Sequence, residues 1–157
     1  MSIPQRTIVC LIHSCDPQLR AMYSGLSDVQ DEGGELILVA IADPRDGQSL
    51  GHRLSDRSFV GLKLATEVER LTTQHEEDRL QEQLQHAQEE ARKAGISAGV
   101  VFEEGEVAAT FQKIVKRIHP TRTHVPRLPQ SLGDRLLRGD STDSLTRSLD
   151  TTVIITD

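Results

Sequence analysis

The sequence predicts an α/β fold: a three-layer sandwich with a five-stranded, mostly parallel sheet between helices on both faces. Three observations predict it. Short continuous apolar runs, the kind that suit strands buried on both faces, recur along the chain. Amphipathic helical patterns separate them. The resulting order, β-α-β-long loop-α-β-α-β-α-β, implies parallel strands joined by right-handed crossovers.

Each element has its own signal. TIVCLIHS (Thr7–Ser14) is apolar and rich in β-branched residues, as a buried strand requires. Asp16 then has the chemistry of an N-cap and Pro17 that of a first helical residue. Leu19, Met22, Tyr23, Leu26 and Val29 repeat at helical spacing, and Gly33-Gly34 ends that helix. Glu35–Asp43 reads as a second buried strand, and the polar stretch Pro44–Ser58 as a loop. A long helix, or two abutting ones, follows and ends at Gly95. Leu64, Val68 and Leu71 form one stripe on it; Leu80, Leu84, Ala87 and Ala91 form another. Ile96–Gly105 is a third strand. The next helix sets Val107, Phe111, Ile114, Val115 and Ile118 inward and stops before Pro120. Thr121–Val125 is a poor strand candidate by itself. A weak helix capped by Asp140 and a last strand, TTVIIT, complete the order.

Composition bounds the function. The 157 residues suit one domain, spanning 1–157, with an aliphatic core, because aromatics make up only 3% and Trp is absent. The formal charge of −6 argues against nucleic acid or an anionic membrane surface as a partner. No run approaches the roughly 20 apolar residues of a membrane span. Cys10 and Cys15 are not spaced as CxxC, so a reduced, cytoplasmic protein is expected.

The third strand running into EEGEVAATFQKIV, the tail RLLRGDSTDSLTRSLDTTVIITD and the element order resemble the universal stress proteins, of the adenine-nucleotide α-hydrolase-like fold. The resemblance covers nearly the whole chain. It implies the strand order 3-2-1-4-5 and commonly a homodimer through the C-terminal strand. Nucleotide-binding members of that family carry G-x2-G-x9-G-[ST] after the fourth strand. Here those positions fall on Pro126, Pro129, Gly139 and Asp140. The spacing is kept, but three of the four residue types are changed. The family's Asp at the end of the first strand falls on His13, and its apolar residue ending the second strand falls on Ile41.

Those changes oppose phosphate binding. A phosphate loop works because glycines let backbone N–H groups crowd round an anion. Proline has no N–H to donate and its φ is fixed. Asp140 would place a carboxylate where phosphate oxygens meet a helix N-terminus. The sequence therefore predicts a degenerate ATP site, no cofactor, and a regulatory module that works through dimerisation and a protein partner.

An alternative ligand site lies close by. Residues 117–138 hold five arginines and one acid, Asp134. Arg122 and His124 share one face of the fourth strand, and Arg127 follows. His13, Ile41, Arg122, His124, Arg127, Gly139 and Asp140 form a candidate pocket for a nucleotide or another anion. The plainer reading pairs these arginines with acids of the long helix. His13 and His124 are expected to end adjacent strands at the topological switch point. With Cys15 they match no metal-ligand template, so structural roles are expected and no metal. Cys15, at a helix start, has the position of a thiol with lowered pKa; an ordinary thiol is the plainer expectation. No catalytic motif supports an enzyme. SGLSD (Ser24–Asp28) resembles the SGGxDS motif of the superfamily's catalytic branches only superficially: it lies inside the first helix and lacks the second glycine.

Overall fold

The computed structural model describes residues 5–43, 62–128 and 151–157. Its elements run β1 (Thr7–Ile12), α1 (Arg20–Glu32), β2 (Glu35–Ala42), α2 (Leu62–Lys93), β3 (Gly99–Glu104), α3 (Val107–Ile118), β4 (Arg122–Pro126) and β5 (Thr152–Thr156). The strands form one sheet in the order β3-β2-β1-β4-β5. Every pairing is parallel. The expected weak helix after Asp140 and the Pro44–Ser58 loop lie outside the described residues.

Period-two alternation divides the core between the two faces. Ile8, Cys10, Ile12, Leu36, Leu38 and Ala40 face α1 and α2. Val9, Leu11, Val39, Ile41 and Val125 face α3, where Phe111 and Ile114 are fully or almost fully buried. Ile8 to Ile12 of β1 are each covered on their own side, so the run reads as continuously apolar.

Two helix starts show how short-range chemistry sets the boundaries. The carboxylate of Asp16 accepts from the backbone N–H groups of Arg20 and Ala21 at 3.0 and 3.1 Å. The anticipated cap therefore acts across an intervening turn, and α1 begins later than Pro17, after Leu19 in a left-handed conformation (φ 56°). Glu106 caps α3 by accepting from the N–H of Ala109 at 2.9 Å. Gly33, at φ 79°, closes α1 by donating to the carbonyl of Val29 at 2.8 Å.

The long helical pattern is one helix. Its 32 residues span about 48 Å, more than twice the depth of a six-residue strand. Its packing stripe is Leu80, Leu84, Ala87 and Ala91, all buried. Leu71, from the other expected stripe, is 52% exposed. The preceding turns thus lead past the carboxyl ends of the strands, and this overhang shapes the site.

Candidate functional site: the carboxyl end of the sheet

In open parallel sheets ligands bind beyond the carboxyl ends of the strands. A cleft lies there, lined by His13, Ser14, Ile41, Ala42, Asp43, Glu76, Glu77, Leu80 and Val107. β1 and β2 supply its floor, α2 one wall, and the first residue of α3 the other. His13 and Ile41, both candidates from the sequence, line the cleft.

The loop carrying His13 is held firmly. Gln83 on α2 donates from its side-chain amide to the carbonyls of His13 and Asp16, at 2.8 and 2.9 Å. The backbone N–H of Cys15 donates to His13 Nδ1 at 3.0 Å. That nitrogen is an acceptor, so a neutral ring carries its proton on Nε2. Burial lowers the His13 pKa, against the opposing pull of Asp16 and Asp43.

The cleft is acidic. Asp43, Glu76 and Glu77 line it, and no Lys or Arg stands among the described lining residues. Burial, then the carboxylate of Glu104, raises the Glu77 pKa. None of these acids stood among the sequence candidates. Asp43 follows β2 directly, whereas Glu76 and Glu77 belong to a helix whose outer turns look like a solvated charged face, and only its overhang brings them to the strand ends.

Arg122, His124 and Arg127 do not line this cleft. His124 does not end β4 beside His13. It pairs in register with Cys10, three residues before His13, and its side chain lies beneath α1 with 1% exposure. Asp28 Oδ2 accepts from His124 Nε2 at 2.6 Å and from Arg122 Nη1 at 3.1 Å. Arg122 and His124 do share a face, but their partner is an acid of α1 and not of the long helix. Burial works to raise the Asp28 carboxyl, yet its bonds from Arg122 and His124 outweigh that and hold it below its ordinary value.

Arg127 pairs with Asp157 at 2.5 Å. Its carbonyl accepts from Cys15 Sγ at 3.6 Å, which links the ends of β1 and β4 at the switch point. The Cys15 thiol is not activated. Burial, then the charge of Asp16, pushes its pKa up to about 11. α1 starts only at Arg20, so Cys15 does not stand in its first turn. Among the described residues no group of three His, Cys, Asp or Glu side chains could hold a metal ion. Gly139, Asp140 and Pro129 lie outside the described residues.

Asp28, too, was not among the sequence candidates. Its signal was indirect: two polar side chains on one face of a central strand demand a buried partner. SGLSD, which only superficially resembled a catalytic motif, supplies both Asp28 and the glycine beside it.

A doubly wound parallel sheet with a cleft at its carboxyl end defines the class: an open α/β fold. More particularly, the fold is that of the universal stress proteins. The chain is similar to a universal stress protein solved in complex with cAMP, at 15% identity over 97% of each chain, TM-score 0.64. It is also similar to UspA from Lactobacillus plantarum, at 15% identity, TM-score 0.60, covering 99% of this chain and 100% of that one. A third is the universal stress protein from Archaeoglobus fulgidus in complex with dAMP, at 10% identity, TM-score 0.56, covering 99% and 100%. No family model matches the sequence, and no curated protein does. Among the described residues no helix is long and apolar enough to cross a membrane.

Proposed function

We propose that this chain is a non-catalytic, cytoplasmic regulatory module of universal-stress type that does not use ATP and acts through homodimerisation and a protein partner. The observation that carries this reading is the carboxylate lining of the carboxyl-end cleft. A triphosphate brought there would meet Asp43, Glu76 and Glu77, like charges at short range, with no lining cation to offset them. Pro126 and Pro129 add to this by removing two backbone donors at the motif positions. The dimer reading draws on β5. It is an edge strand paired to β4, and Val153, Ile154 and Ile155 are only partly buried. Pairing with its copy would protect such an edge.

A second reading is a sensor that holds a nucleotide or another anion through the arginine-rich fourth-strand region. The similar structures with cAMP and dAMP favour it. Against it, Arg122 and Arg127 are engaged by Asp28 and Asp157.

Titration calorimetry with ATP, AMP and cAMP discriminates the two. The expected result is no ATP binding at low micromolar concentration. Tight ATP binding, or purified protein already carrying ATP, would overturn the first reading. Light scattering at micromolar concentration should give the mass of a dimer; a monomer removes that part of the proposal.

A further inference from the structure

The seam between α1 and the sheet carries a polar cluster that no ligand site requires. Asp28 on α1 reaches two residues of β4: Arg122 at 3.1 Å and His124 at 2.6 Å. Asp28 and Arg122 are 21% and 28% exposed, whereas His124 is 1% exposed. His124 Nδ1 is buried with no hydrogen-bond partner among the described residues.

We propose that Asp28, Arg122 and His124 form an acid-sensitive latch that docks α1 on the sheet, released when His124 takes up a proton. The protonation state follows from charge and donor counting. An ionised carboxylate only accepts, so His124 Nε2 carries the hydrogen of the 2.6 Å bond. Arg122 already balances the Asp28 charge, so the cluster closes at zero with a neutral imidazole. A second proton must go to Nδ1. The Asp28 carboxylate would still face the ring, but the cluster would carry a net positive charge, and a buried N–H without an acceptor would stand at Nδ1, which is costly.

The groups facing the ring are few. From β1 comes the thiol of Cys10, which stays protonated because burial pushes its pKa up. From α1 come Asp28 and the bare backbone of Gly25. From β4 comes Arg122, whose charge disfavours an imidazolium. From β5 the register partner is apolar Ile154. None of these described groups offers Nδ1–H an acceptor.

The ring lies close beneath the backbone of α1. A β-carbon on Gly25 would collide with Cys10 Sγ and stand 3.3 Å from the His124 ring. The simplest relief is for α1 to lift. Burial lowers the His124 pKa below its ordinary value of 6.5. The unfolded chain then binds more protons than the folded one as pH falls below 6.5. The docked state is therefore fully stabilised above that pH and weakens below it.

A readout is built in. Tyr23 is the single tyrosine, there is no tryptophan, and its hydroxyl donates from α1 to Glu90 on α2 at 2.9 Å. Hydrogen exchange of the full chain at pH 7.5 and 5.5, corrected for intrinsic rates, should show a loss of α1 protection at the lower pH. Tyrosine fluorescence should change in step. His124→Gln keeps a donor for Asp28 and cannot titrate, so it should abolish the change. Unchanged wild-type protection, or an equal loss in His124→Gln, overturns the latch. If His124→Gln fails to fold, an NMR titration of the wild-type imidazoles decides. The latch requires the His124 midpoint to coincide with the α1 amide shifts, and distinct midpoints refute it.

Discussion

Asp28 and Arg122 meet at 3.1 Å across the seam between α1 and β4. The contact turns an arginine that looks available for a ligand into a structural tie. Arg122→Ala should therefore lower stability by about 1 kcal/mol, the value of a charged hydrogen bond discounted for partial exposure. Urea denaturation checks this. An unchanged midpoint, together with loss of a bound anion, would return Arg122 to the ligand site.

Gly25 sits where α1 comes closest to the sheet. A methyl group there would collide with Cys10 Sγ and press on Ile8 and His124. Helix propensity alone would favour alanine. Overpacking wins because the neighbours are buried, and Gly25→Ala should cost about 1–3 kcal/mol. A Gly25→Ala protein at least as stable as wild type would show that the seam yields more easily than its packing implies.

The cleft predicts a pH dependence of opposite sign to the latch. The Glu77 pKa is raised by burial and then by Glu104. A carboxyl whose folded pKa lies above its unfolded value of 4.5 supports the fold fully below that pH. It loses this support as pH rises through the folded value. Glu77→Gln should therefore stabilise the protein slightly at pH 7, by a few tenths of a kcal/mol at a partly exposed site. The gain should vanish at pH 4. Thermal melts at both values test it, and a gain that persists at pH 4 contradicts this electrostatic origin.

For the edge strand the informative change is Ile154→Lys. Lysines on an edge strand discourage strand addition. If β5 pairs with its copy, this variant should appear as monomer or aggregate in light scattering where the wild type is a dimer. A dimer that survives the substitution would move the interface elsewhere, the long α2 being the next surface to test.

Much of this architecture was legible in the amino-acid sequence. Periodicity marks β1, β2 and β3, the inner faces of α1 and α3, and the packing stripe Leu80, Leu84, Ala87 and Ala91, because burial on a sheet imposes periods of two and 3.6. Alternation along β4 alone places Arg122 and His124 on one side. Even the weak strand Arg122–Pro126 follows from its place in the order of elements, although its residues have little strand character.

Tertiary structure decided the rest. Which acid meets Arg122 and His124 depends on how α1 crosses the sheet, a contact between residues about a hundred positions apart. The charge of the cleft depends on α2 continuing past the strand ends, and no local pattern encodes that length relative to the sheet. Whether Cys15 is activated depended on α1 starting at Arg20 and on burial of the thiol. Local propensity and periodicity act within one or two turns of chain. Electrostatic environment is set by whatever folding brings within a few ångströms, and that belongs to the whole sheet and its helices.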